Sequence, residues 1–103
     1  MNSRNKCDDL DSLFEAVLTI DNLDDCYDFF DDLCTVQELH DMGQRFRVAG
    51  MLMEGKVYSE IYKQTGASTA TISRVNRALE HGCDGYRKVL ERRMKESESG
   101  DNN

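Results

Sequence analysis

Apolar residues recur at helical spacing along most of the 103-residue chain, and this periodicity limits the fold more than any other feature. The first such segment, residues 10–18, has apolar side chains at i, i+3, i+4, i+7 and i+8, the stripe of an amphipathic helix. The chain has no proline, and its β-branched residues do not cluster in alternating runs, so strands are not indicated. The pattern therefore predicts an all-α fold.

Short polar residues and glycines at the ends of these stripes divide the chain into six predicted helices. Two of them precede a capping box at residues 35–38, in which a threonine hydroxyl accepts a hydrogen bond from the amide of the glutamate three residues later. The helix behind this box, to about Glu54, is apolar on more than one side and is predicted to be the central helix. The last three helices are predicted at 57–65, 69–80 and about 85–95. The other predicted N-terminal caps are Asp8 or Asp9, Asp21 or Asn22, and Ser68, and the predicted helix stops are Gly55 and Gly66.

These helices are predicted to form one domain over residues 8–95, with disordered polar segments at 1–7 and 96–103. No stretch reaches 18 uninterrupted apolar residues, and the first ten residues lack the apolar region of a signal peptide. A cytoplasmic protein without membrane contact is therefore expected. The four cysteines do not have the spacing of a metal site, so neither a disulfide nor a bound metal is predicted.

The negative charge of the chain is concentrated away from one segment. The net charge is −7, yet residues 1–34 hold ten acids and two bases, whereas residues 55–83 hold four bases and two acids. A weakly positive segment on an acidic body predicts modest, salt-sensitive affinity for DNA. The alternative interpretation of the acidic region is a solvated surface that only aids solubility.

Residues 55–82 have the pattern of a helix-turn-helix. A short turn between crossed helices requires a left-handed backbone conformation, and Gly66 can adopt it without strain. The residues predicted to point inward are Ile61 and Tyr62 in the first helix and Ile72, Val75 and Leu79 in the second.

The first turn of the second helix combines small hydroxyl side chains with one arginine. Such side chains clear the walls of the major groove and offer hydrogen bonds and methyl contacts to base edges, and Arg74 or Arg77 can reach guanine or phosphate. An ordinary helical hairpin with a serine cap is the alternative. The residues predicted to bind DNA are Ser59, Lys63, Ser68, Thr69, Ala70, Thr71, Ser73, Arg74 and Arg77.

The stretch TGASTATISR (65–74) resembles the helix-turn-helix of the Trp repressor superfamily. The segments CYDFFDDLCTVQEL (26–39) and QRFRVA (44–49) are similar to the TrpR-like YerC/YecD group of that superfamily, and the resemblance covers about residues 10–95. It implies a six-helix subunit and an intertwined homodimer built from the first three helices and the last. It also implies that the two helix-turn-helix motifs of the dimer bind palindromic double-stranded DNA.

The resemblance further suggests an effector pocket, because Arg45 and Arg74 match two arginines that line the tryptophan site of the Trp repressor. The second of these is followed by glycine in the repressor and by Val75 here. The valine side chain would fill the space of the indole ring, at a cost of roughly 1–3 kcal/mol if a ligand were forced in. We therefore predict no cofactor and no response to tryptophan, and an ion pair of Arg45 with an acid is the alternative to an effector role.

The sequence as a whole predicts a sequence-specific DNA-binding transcriptional regulator. This regulator is predicted to be a repressor, because a small dimer can block polymerase by occupying its DNA site. The apolar stripes of the first, second and last helices exceed what one short chain can cover, which favours a homodimer. A helix-turn-helix protein-interaction module without sequence-specific DNA binding, with an acidic docking face at residues 24–32, is the alternative. An enzyme is not expected, since no nucleophile–base pair or phosphate-binding glycine loop is visible.

Overall fold

The computed structural model describes residues 7–101, with side chains as far as Glu98. This part of the chain forms six α-helices and no β-strand, as the periodicity predicted. None of the described helices is long and apolar enough to cross a membrane. The helices are α1 (Asp8–Val17), α2 (Leu23–Leu33), α3 (Val36–Met53), α4 (Tyr58–Thr65), α5 (Thr69–His81) and α6 (Gly85–Asp101).

The described chain divides into two compact units. One reaches Leu39 and contains α1, α2 and the start of α3, and the other begins at His40 and contains the rest of α3 with α4, α5 and α6. Neither α1 nor α2 contains a buried residue. The expectation of a single domain over residues 8–95 stays a prediction.

Side-chain caps begin the helices of the first unit. The Asn22 Oδ1 accepts from the backbone N of Asp25 at 2.8 Å, as predicted. The capping box is also present, with 3.1 Å from the Glu38 amide to Thr35 Oγ1 and 2.8 Å from the Thr35 amide to Glu38 Oε1.

The predicted cap of α1 at Asp8 or Asp9 is wrong. Cys7 takes that place, and its Sγ accepts from the backbone N of Leu10 at 3.4 Å. The two aspartates lie instead in the first turn of α1, where their negative charges interact favourably with the positive end of the helix dipole. The remainder of the segment predicted to be disordered, residues 1–6, lies outside the described residues.

The predicted end of α6 at about residue 95 is also wrong, because the helix continues to Asp101. Glu91 and Lys95 are four residues apart in the orientation that supports a helix, and no proline follows to stop it. The polar composition that predicted a break is therefore compatible with an exposed helical extension. Residues 102–103 of the predicted tail lie outside the described residues.

One apolar core holds the second unit together, and it is built around the helix-turn-helix segment. Val48 and Ala49 of α3 are fully buried, which supports the prediction of a central helix. The core consists of Val48, Ala49, Met51, Ile61, Ala67, Ile72, Val75 and Leu79, with Leu52, Met53, Tyr58, Tyr86 and Leu90 partly buried against it.

The prediction that Tyr62 points inward is wrong, because 60% of this residue is exposed. The inward face of α4 is formed by Tyr58, Ile61 and Thr65, which follow one another at i, i+3 and i+7. Tyr62 is rotated by about 100° from Ile61 around the helix axis and therefore leaves the core.

Candidate nucleic-acid interface

The turn between α4 and α5 is fixed by its own backbone and by one hydroxyl group. Gly66 has φ 75°, the left-handed conformation predicted for it, and its N–H donates to the Tyr62 carbonyl at 2.8 Å. The Thr65 hydroxyl donates to the Ile61 carbonyl at 2.7 Å and accepts from the Ala67 amide at 3.0 Å. These bonds close the turn tightly, and the buried Ala67 side chain anchors it in the core.

Ser68 caps α5, as predicted. Its Oγ accepts from the backbone N of Thr71 at 3.1 Å and donates to Thr71 Oγ1, also at 3.1 Å. Ser68 is exposed and Thr71 half-buried. Two of the nine predicted DNA-binding residues therefore also shape the start of this helix.

The rest of α5 separates a buried face from an exposed one. Ile72, Val75 and Leu79 are buried, as predicted, and helical periodicity places Ala70, Arg74 and Arg77 on the opposite side. Thr69, Ala70, Ser73, Arg74 and Arg77 are all exposed. Within the described part of the second unit, neither arginine forms an ion pair, so both charges face solvent.

Ser59 and Lys63 lie one helical turn apart on the exposed face of α4. All nine residues predicted to bind DNA thus lie on α4, the turn or α5, and eight of them are exposed. Their contact with DNA stays a prediction, but their placement on one solvent-facing motif is what such contact requires.

Three side chains from the flanking helices hold the carboxyl ends of α4 and α5. From α3, Gln44 Nε2 donates to the Thr65 carbonyl at 3.1 Å and Arg47 Nη1 to the Gln64 carbonyl at 3.3 Å. From α6, Arg87 Nε donates to the Leu79 carbonyl at 3.1 Å. Helix ends leave such carbonyls without intrahelical partners, so these bonds both satisfy them and fix the motif to its support.

The sequence analysis missed these three positioning residues. Their acceptors are backbone carbonyls, and every residue has one, so no motif marks the pairing. Only the packing of α3 and α6 against the helix-turn-helix brings donor and acceptor together.

The two arginines of the suggested effector pocket have different surroundings. Arg45 is half-buried in α3, whereas Arg74 is exposed on α5. Both the effector role of Arg45 and its ion pair with an acid stay predictions. Val75 is 2% exposed and belongs to the apolar core.

An open groove of 780 Å³ lies between α3 and α6 in the second unit. Its floor is apolar and includes Phe46 and Met94, and Arg47 and Arg93 are among its charged residues. The Arg93 guanidinium lies 6.0 Å from the centre of the Phe46 ring. Glu54 and Glu91 also line the groove, which therefore presents an apolar floor with charges of both signs beside it.

Comparison with known proteins gives a consistent result over most of the chain. The sequence model of the Trp repressor protein family matches residues 8–94. The uncharacterized protein YerC of Bacillus subtilis is 52% identical over 91 residues, which are 88% of this chain and 86% of that protein.

Two solved structures share the fold. A candidate Trp repressor from Staphylococcus aureus superposes with a TM-score of 0.82 at 50% identity, over 84% of this chain and 87% of that chain. A TrpR-like protein from Eubacterium eligens gives the same TM-score at 53% identity, over 84% of this chain and 90% of that one. The family consists of non-enzymatic regulators, in agreement with the expectation that this chain is not an enzyme. By the match over residues 8–94 and the identity to these relatives, the chain belongs to the Trp repressor protein family.

Proposed function

We propose that this protein is a sequence-specific DNA-binding transcriptional repressor that acts as a homodimer on a palindromic site. In this proposal α5 enters the major groove and α4 crosses the DNA backbone. The observation that carries it is the division of α5 into a face buried in the core and a solvent face bearing Ala70, Arg74 and Arg77. A helix anchored in this way can enter the groove while its apolar face stays buried in the protein core.

The charge distribution supports the same function. Lys63, Arg74 and Arg77 are exposed on the motif, while most of the acidic residues precede it in the sequence. Phosphate neutralisation by so few cations gives modest affinity that decreases as the salt concentration rises. Two motifs on one dimer would multiply this affinity and let both half-sites contribute to sequence selection.

The homodimer is supported by surfaces that a single chain leaves uncovered. Leu18, Leu23 and Tyr27 of the first unit are 83%, 71% and 63% exposed. A second copy of α1 and α2 would offer apolar stripes to the floor of the α3–α6 groove. This apolar complementarity favours a second copy of this chain as the occupant of the groove.

The function is tested by selecting genomic DNA fragments with the purified protein and then measuring the affinity of an Arg74→Ala variant for the selected site. We expect a loss of roughly 1–3 kcal/mol and weaker discrimination at one base position in each half-site. Arg92→Ala is the matched control, because it removes an exposed arginine from α6, outside the motif.

Two outcomes would contradict the proposal. Unchanged binding by Arg74→Ala would mean that α5 is not the reading helix. Equal, weak and fully salt-dependent affinity of the unaltered protein for every DNA would favour the protein-interaction module instead.

L-tryptophan is expected to leave the protein unaffected. Because Val75 is part of the core, an indole ring beside Arg74 would have to displace a buried side chain. Thermal unfolding with and without millimolar L-tryptophan should give the same Tm to within about a degree, since a ligand stabilises only in proportion to its binding. A rise of several degrees would show that the pocket opens.

A further inference from the structure

Tyr62 occupies an unusual position on the helix-turn-helix. It is a large aromatic residue, 60% exposed, on a helix of eight residues whose inward face is already complete without it. Its hydroxyl has no hydrogen-bond partner among the residues that the structure describes. The core therefore does not explain the side chain, and the phenol group is available for an external contact.

The position of Tyr62 in α4 connects it to the residues already proposed to face DNA. It lies three residues after Ser59 and next to Lys63, so the three side chains share the exposed part of the helix surface. Its carbonyl also accepts the hydrogen bond of Gly66 that closes the turn, which places Tyr62 in the last turn of α4, directly before the turn that leads into α5. Tyr62 thus flanks the end of α5 that enters the groove in the proposed complex.

The chemistry of the side chain fits the DNA backbone. The first helix of a helix-turn-helix crosses the backbone, and tyrosine hydroxyls are among the groups that donate hydrogen bonds to phosphate oxygens. We propose that Tyr62 is a DNA-backbone contact whose hydroxyl donates to a phosphate beside the one neutralised by Lys63. This inference rests on the proposed function and adds a positioning contact to it, with no role in choosing the base sequence.

The test compares Tyr62→Phe, Lys63→Gln and Arg74→Ala on the selected site and on unrelated DNA, over a series of salt concentrations. Loss of the Tyr62 hydroxyl should weaken binding roughly three- to tenfold for each half of the dimer on both DNAs, because a phosphate contact carries no sequence information. The slope of log affinity against log salt should stay unchanged in this variant, since the phenol is neutral. In Lys63→Gln, which removes one phosphate contact from each half of the dimer, the slope should fall by about 2.

Tyr86→Phe on α6 is the control for removing a tyrosine hydroxyl outside the motif, and it should bind as the unaltered protein does. The Tm of Tyr62→Phe should also be unchanged, because the hydroxyl has no described partner in the fold. If Tyr62→Phe binds normally while Arg74→Ala loses affinity, the proposed function stands and the role of Tyr62 is refuted. If Tyr62→Phe loses affinity only for the selected site, or changes self-association without DNA, the phosphate contact is likewise refuted. If the unaltered protein selects no site, both proposals fail.

Discussion

Replacing Ile72 by alanine is expected to lower the free energy of unfolding by roughly 2–5 kcal/mol. Ile72 is fully buried and lies in the core that joins α3, α4 and α5. Three carbon atoms would be removed, and Val48 and Ile61, also fully buried, are held in helices that cannot collapse freely into the space. Because a domain of this size has a total stability of only about 5–15 kcal/mol, the loss would be a large fraction of it.

Urea unfolding at fixed protomer concentration measures this effect, since dimer formation would make the stability depend on concentration. Ile72→Val is the graded control and should cost only about 0.5–1.5 kcal/mol. A loss below about 0.5 kcal/mol for the alanine variant would mean that the site relaxes or that α5 is packed differently. DNA affinity at low urea should change far less than stability, because Ile72 lies on the face of α5 opposite Arg74 and Arg77.

The elements of the fold were predictable where local chemistry decides them. The glycine at 66, the serine at 68 and the threonine–glutamate pair at 35–38 each satisfy backbone groups within three or four residues, and the structure contains all three features. The buried stripe of α5 was also predictable, because Ile72, Val75 and Leu79 repeat at helical spacing. Such signals depend on neighbours in the sequence and need no knowledge of the tertiary structure.

The incorrect predictions concern positions where the local sequence is compatible with two different structures. Tyr62 follows Ile61 directly, and a short helix with two large apolar neighbours does not show which of them the core will take. At the start of α1, an aspartate is a good cap in general, but Cys7 lies one residue earlier and leaves both aspartates free for the first turn. At the end of α6, polar residues without proline are compatible with both coil and helix.

The candidate site shows the same division. Its exposed residues follow from the helical pattern, because whatever lies opposite a buried stripe faces solvent. Its support does not follow, since the hydrogen bonds of Gln44 and Arg47 to α4 join residues 21 and 17 positions apart. The sequence therefore predicts which residues form the candidate DNA-binding surface. The orientation of that surface is set by long-range contacts, and no sequence motif marks these contacts.

The double substitution Leu23→Glu and Tyr27→Glu is expected to weaken the proposed homodimer at least about a thousandfold, equivalent to about 4 kcal/mol. The two residues lie four apart on α2 and are 71% and 63% exposed in the single chain. In the proposed dimer they would be covered by apolar groups, so each new carboxylate would be buried without a partner. The helix itself should tolerate the change, because glutamate is a good helix former and, at position 23, lies in the first turn, where a negative charge is favourable.

Sedimentation without DNA at micromolar concentration distinguishes the two states. The unaltered protein should have twice the 11.8 kDa mass of the chain, and the double variant should have the mass of a monomer. Val57→Glu with Tyr62→Glu is the matched control, since these residues are similarly exposed, at 63% and 60%, but lie at the helix-turn-helix. This control should remain a dimer and lose affinity for DNA, whereas the α2 variant should lose the dimer first and DNA affinity as a consequence. A monomeric unaltered protein, or a dimeric α2 variant, would show that the exposed stripe of α2 does not form the interface.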